Sequence, residues 1–172
     1  MGAGFVIREA REDESDALGR LMVGVYAGLA GFPGPDEQPR YYEMLAHIGQ
    51  VAEKPGAKLL VAVADGEVLG GVVHFSDMAQ YGSGGSATGE RNASGFRLLA
   101  VGPEARGRGI GRALVQRCID LAKEAGHGQV ILHSTEAMKV AWGMYERLGF
   151  ERSPDLDFLQ GELPVFGFRL KL

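Results

Sequence analysis

The chain has 172 residues, 45% of them hydrophobic, with 18 Lys+Arg against 22 Asp+Glu and a net charge of -4. That length fits one domain, 1–172, around one sizeable core, and the balance gives no electrostatic footprint for nucleic acid or an anionic membrane. No apolar run approaches the roughly 18 residues a membrane span needs, residues 1–10 lack the pattern of a signal peptide, and the single cysteine, Cys118, rules out an internal disulfide, so a cytoplasmic setting is expected.

A short strand is predicted over residues 5–8. The acidic run 13–16 opens a helix, along which Ala17, Leu18, Leu21, Met22 and Val25 recur at helical spacing. Gly31-Phe32-Pro33-Gly34-Pro35 stops it. A second helix is predicted over 36–53. An apolar strand follows over 58–64. Asp65-Gly66 is a two-residue hairpin signal, with the return strand over 68–75. Residues 78–95, which include Gly-Ser-Gly-Gly-Ser, are expected to form a mobile polar loop, either without a role or as a lid.

The second half is more regular. A strand over 96–101 leads through a glycine-rich turn into a helix over 109–125. Its apolar stripe is Ile110, Ala113, Leu114, Cys118, Leu121 and Ala122. A strand over 130–132 precedes a helix capped by Ser134 or Thr135, carrying Ala137, Val140, Ala141, Met144 and Leu148, and ending at Gly149. Strands over 150–152 and 165–170 close the chain. This order predicts a mixed α/β sheet with helices packed on it.

Glycine accounts for 27 residues, about twice the usual share of roughly 7%, and the informative cluster is Val101-Gly102-Pro103-Glu104-Ala105-Arg106-Gly107-Arg108-Gly109-Ile110-Gly111-Arg112. It lies between a predicted strand and a predicted helix. The glycines let a ligand approach the backbone, the first helical N–H groups point outward, and Arg106, Arg108 and Arg112 add positive charge, which together suit a phosphate or pyrophosphate. No Lys-Ser/Thr follows Gly111, as a Walker loop requires. The third glycine of a dinucleotide fingerprint falls on Arg112. The pattern that remains is Arg-x-x-Gly-x-Gly at Arg106, Gly109 and Gly111.

The run from Leu98-Leu99-Ala100-Val101 through Arg106-Gly107-Arg108-Gly109-Ile110-Gly111 resembles the acyl-CoA pyrophosphate loop of the GNAT N-acetyltransferase superfamily. The later Met138-x-x-Ala141-x-x-x-Tyr145-Glu146-Arg147-Leu148-Gly149-Phe150 resembles that family's last helix and its exit. The two blocks cover residues 96–150. The resemblance implies a single-domain GNAT fold: a mixed, mostly antiparallel central sheet splayed at a bulge and flanked by about four helices. It implies acetyl-CoA as co-substrate, with no metal, and direct transfer of the acetyl group to a primary amine. The backbone of Leu99, Ala100 and Val101 would pair with the pantetheine arm, and a backbone N–H near Leu99 would polarise the thioester carbonyl. The amides over 106–112 would hold the pyrophosphate. Tyr145 matches the general acid, and small Ala141, one turn earlier, leaves room for the cofactor. Arg152-x-Pro154-x-x-Asp157 is similar to a bacterial subgroup.

The general base departs from the family pattern. Many relatives carry glutamate near the position of Gly95; here Glu90, His133, His74, Asp77 or water are the candidates. A small-molecule amine is expected as acceptor ahead of a protein amine, and the mild acidic excess suits a cationic one such as a polyamine or an aminoglycoside. Propionyl or succinyl transfer, or a non-catalytic acyl-CoA-binding module, are the alternatives. A homodimer is expected, because relatives often pair through terminal strands.

Overall fold

In the computed structural model, which describes residues 4–82 and 85–172, a single sheet runs through the molecule with helices on both faces. The strands are β1 (Val6–Glu9), β2 (Ala57–Ala64), β3 (Glu67–Phe75), β4 (Ala93–Val101), β5 (Gln129–Ser134), β6 (Glu151–Arg152), β7 (Phe158–Gln160) and β8 (Leu163–Lys171). Their order is β1-β2-β3-β4-β5-β8-β6, with β7 forming a hairpin on β8. Every pairing is antiparallel except β4 with β5. The β2–β3 hairpin turns on Asp65 and Gly66, both at positive φ (50° and 79°), the geometry a two-residue Asp-Gly turn adopts.

The helices are α1 (Ser15–Ala27), α2 (Pro39–Ala46), α3 (Ile48–Val51), α4 (Ile110–Glu124) and α5 (Lys139–Arg147). Leu18, Met22, Tyr26, Leu45 and Ile48 bury one face of the sheet, while Ile110, Leu114, Cys118, Ala122 and Tyr145 bury the other. The helix expected over 36–53 is two helices. His47 leaves helical geometry at φ -112°, ψ 42° and separates α2 from a single-turn α3. The end of α2 is pressed against α1, since a Cβ on Gly19 would lie 2.5 Å from the Ala46 carbonyl oxygen.

Three more expectations change. The strand predicted over 96–101 starts at Ala93, so part of the expected loop belongs to the sheet. The rest is no plain polar loop. It forms short 3-10 turns at Met78–Gln80 and Ala87–Gly89 and buries Met78, Tyr81 and Ala87. Its Ser83 and Gly84, at the centre of the expected mobile stretch, lie outside the described residues. Neither Ser134 nor Thr135 caps α5. A 3-10 turn, Glu136–Met138, intervenes, and the Ser134 hydroxyl instead accepts from the Trp142 indole at 3.0 Å. Trp142, half-buried, packs on Phe166 and Phe168.

Candidate active site

The site begins with a defect in β4. Gly71 pairs with Ala100 and Val73 with Arg97, so Leu98 and Leu99 together stand opposite Val72. Leu98 takes φ 63°, a left-handed conformation that costs a leucine about 1–2 kcal/mol and that burial of its side chain offsets. The bulge turns β4 away from its other neighbour. The β4–β5 ladder covers only Ala93 to Gly95 against Gln129 to Ile131; beyond that point the two strands part. The Tyr26 hydroxyl, reaching over from α1, donates to the Leu99 carbonyl at 2.7 Å and fixes the bulge.

Where the strands part there is a cleft of about 790 Å³, within the range of ligand sites. Of the residues named from sequence, Leu99, Ala100, Val101, Arg106, Gly107, Gly109, Ile110, Gly111, Arg112, Ala141 and Tyr145 all line it. Arg108 does not. Its guanidinium lies toward Gly4, with Nη2 3.5 Å from where a Gly4 Cβ would sit. Glycine is required at 107 and 109 by conformation, since both have φ 79° and a Cβ on either would meet nothing within 4 Å. That empty space lies over the N-terminus of α4, whose first N–H groups have no helical partner. Gly111 has ordinary geometry. A Cβ there would rest 3.7 Å from Val101 and 3.8 Å from Met144, so any steric demand at this position comes from a ligand.

Tyr145 stands among Phe96, Phe150 and Phe168. Burial holds its phenol well above the usual tyrosine range, and no hydrogen bond opposes the shift. The group is therefore a protonated donor at the cleft wall across the working pH range. Nearby, Thr135 Oγ1 is buried with no partner among the described residues.

The candidate bases separate clearly. The Glu90 carboxylate is paired with Arg169, which also binds Asp155. Asp77 accepts from the Ala79 amide and caps a 3-10 turn. His74 is buried beneath α4 with both ring nitrogens unpartnered, and desolvation lowers its pKa to about 4. None of these three lines the cleft; His133 does. Its Nε2 bonds the Leu156 carbonyl and its Nδ1 meets the Tyr81 hydroxyl, both at 2.9 Å, so the neutral ring donates one bond and accepts the other. Burial lowers its pKa. With both nitrogens engaged it is a fixed wall.

Tyr81, which sequence reasoning passed over, explains Gly95. A Cβ there would come within 2.8 Å of the Tyr81 ring and 2.9 Å of Met78 Sδ. The space a side chain at position 95 would use is already filled. The Arg152–Asp157 motif also acquires a role. The two side chains pair at 2.7 Å, Asp157 accepts from the Gly167 amide, and the bend between them presents the Leu156 carbonyl to His133. Arg97 is the other residue missed. It lines the cleft beside Tyr26 and Tyr41, and its Nη1 donates to the Tyr81 carbonyl at 3.1 Å.

A strand bulge that opens a sheet over a glycine turn, with a buried tyrosine on the far wall, defines an acyl-CoA transferase fold of the GNAT type. Residues 22–150 match the Acetyltransferase (GNAT) family, and the chain belongs to it. A streptothricin acetyltransferase from Streptomyces lavendulae is 30% identical over 150 residues, covering 87% of this chain and 64% of that protein. A mycothiol acetyltransferase from Cellulomonas flavigena is 34% identical over 112 residues, covering 63% and 30% respectively. The chain thus spans less than two thirds of these relatives. The PaiA N-acetyltransferase from Thermoplasma acidophilum, solved with coenzyme A, shares the fold at TM-score 0.75 and 16% identity over 98% of this chain and 99% of that one. A GCN5-related N-acetyltransferase from Kribbella flavida gives 0.68 and 26%, covering 98% of each chain. Among the described residues, no helix is long and apolar enough to cross a membrane, and no cluster of three or more His, Cys, Asp or Glu could hold a metal.

Proposed function

We propose that this protein is an N-acetyltransferase that moves the acetyl group of acetyl-CoA onto a small primary amine bound in the cleft between β4 and β5. The single observation that carries this reading is the shared wall. The open glycine turn at the start of α4, the bulged strand and Tyr145 all face one cleft.

Acetyl-CoA supplies an activated thioester. The amides over 106–112, with Arg106 and Arg112, neutralise its pyrophosphate. The pantetheine arm pairs with the peptide groups of Leu99, Ala100 and Val101 in place of a missing strand, and an N–H near Leu99 steadies charge on the thioester oxygen. The acceptor nitrogen attacks the carbonyl carbon, the N–C bond forms and the C–S bond breaks. Tyr145 gives its proton to the departing sulfur and recovers one from solvent. The amine loses its own proton to water, because no carboxylate lines the cleft and both nitrogens of His133 are held.

Calorimetric titration with acetyl-CoA and with CoA, using NADPH as control, tests the cofactor. Release of free thiol across an amine library tests the transfer. Micromolar binding of both CoA forms, no response to NADPH, and thiol release that requires an amine are expected. Absence of CoA binding to folded protein would remove the assignment, and binding without release on any amine would make the protein a non-catalytic acyl-CoA module. A homodimer in solution is part of the proposal, and sedimentation velocity tests it.

A further inference from the structure

The charges in the cleft run opposite to those of the whole chain. Its charged lining residues are Arg97, Arg106, Arg112 and Arg147, with no aspartate or glutamate among them. Arg106 and Arg112 belong to the glycine turn at the start of α4. Arg97 stands apart from it, on β4 just before the bulge, in a cleft that Tyr26, Phe32, Tyr41 and Phe158 also line. Its guanidinium carbon lies 5.9 Å from the centre of the Tyr81 ring, and its charge acts to lower the pKa of Tyr26, Tyr41, Tyr81 and His133.

No acid neutralises it. The ion pairs among the described residues employ Arg8, Arg117, Arg152 and Arg169. The residues outside the described set are Met1, Gly2, Ala3, Ser83 and Gly84, which carry no carboxylate. Among the described residues, the guanidinium makes one hydrogen bond, from Nη1 to the Tyr81 carbonyl, which fixes it without cancelling its charge. Among the described residues Nε and Nη2 have no partner, which leaves donors to spare. Close by, the Tyr41 phenol has its pKa raised to about 12 by burial and remains a donor. A half-buried guanidinium held by a neutral carbonyl, with free donors and an aromatic surround, is built to receive an oxyanion.

We infer that Arg97 binds a carboxylate on the acceptor, and that the acceptor is therefore an amine of the amino-acid class with an apolar or aromatic body, not a polyamine. This rests on the acetyl-transfer reading above and narrows it. A polyamine would bring further positive charge to a wall that offers only arginine, whereas a carboxylated amine brings the missing counter-charge. The aromatic rings of Phe32, Tyr41 and Phe158 supply contact area for the remainder of such a molecule.

Thiol release with acetyl-CoA should be measured for matched pairs that differ only in the carboxylate: phenylalanine and phenethylamine, tyrosine and tyramine, leucine and isoamylamine. Spermidine and aminoethylphosphonate complete the set. Each is run on the wild type, Arg97→Lys and Arg97→Gln, with acetyl-CoA affinity taken by calorimetry and folding by circular dichroism. At least one carboxylated member should exceed its partner about tenfold or more in kcat/KM. Arg97→Gln should raise its KM about tenfold or more and close the gap between the carboxylated amine and its carboxylate-free partner, with acetyl-CoA affinity retained. Arg97→Lys, which keeps the charge without the fork, should fall between. Equal or better use of the decarboxylated amines or spermidine would overturn the proposal, as would an unchanged KM in Arg97→Gln or no turnover of any carboxylated amine. A preference for the phosphonate would overturn the choice of carboxylate. Failure of the wild type to bind acetyl-CoA would instead refute the acetyl-transfer reading itself.

Discussion

Replacing Tyr145 with phenylalanine separates a catalytic hydroxyl from a packing one. The ring sits 6.1 Å from Phe96, 6.0 Å from Phe150 and 6.1 Å from Phe168, centroid to centroid, and all three contacts survive the change. The lost oxygen has no hydrogen-bond partner among the described residues. Removing a polar atom that satisfies nothing leaves stability level or slightly higher, within about 1 kcal/mol. The chemical step loses its proton donor. General acids contribute on the order of 10²–10⁴. The leaving group is a thiolate, a far weaker base than an alkoxide, and needs less help, so the fall in kcat should be near the lower end, about 100-fold. Because burial holds the phenol above its usual value, no tyrosine ionisation should cut activity before about pH 10. Thiol release under saturating acetyl-CoA, calorimetric affinity and thermal melting together give the result. A kcat within twofold of wild type, with the melt unchanged, would refute the assignment of the acid to Tyr145.

Gly109→Val imposes a β-branched residue at φ 79° and fills the space over α4; acetyl-CoA affinity should drop at least 100-fold by calorimetry, and undiminished affinity would remove the turn from the site. Gly95→Ala places a methyl 2.8 Å from the Tyr81 ring and should cost about 1–3 kcal/mol in denaturant unfolding, whereas an unchanged midpoint would show that Tyr81 yields freely. His74 ties stability to pH in a definite direction. The unfolded chain takes up its proton near 6.5, the folded chain only near 4. Between those values the unfolded state holds more protons, so stability should fall as pH drops from 6.5 toward 4, by up to about 3 kcal/mol. His74→Leu should flatten that slope in urea melts at successive pH values, and a slope that persists would assign it to other groups.

The parts of the site that were legible in the sequence are those where backbone chemistry restricts residue choice. Gly107 and Gly109 occupy conformations that side chains avoid, and Asp65-Gly66 forms the turn its composition dictates, so each leaves a mark on the sequence. Of the apolar stripe of α4, Ile110, Leu114, Cys118, Leu121 and Ala122 are buried as its periodicity requires, and Ala113 is half-buried. The illegible parts depend on partners far apart in the chain. Leu98 carries no sign of its positive φ, because the bulge is set by Tyr26, 73 residues away, and by the β3 register. Tyr81 and His133 meet across 52 residues, and neither neighbourhood has a periodic pattern that would announce the pair. Arg97 looks like an ordinary polar position in a strand until the absence of any acid around it becomes visible. The helix expected over 36–53 failed for a local reason, a break at His47 that no proline or glycine at that position marks.

The parting of β4 from β5 has a mechanical side. With three pairs in that ladder, the sheet is two half-sheets, β1–β4 and β5–β8, joined by a narrow seam and spanned by α4. Amides along both edges beyond the seam have no strand across from them, so they should exchange hydrogen with solvent faster than their neighbours. A ligand lying in that opening would complete the seam and bind the halves into one unit. Its grip would then register as slower exchange along both edges and as a sharper, later melt of the whole domain.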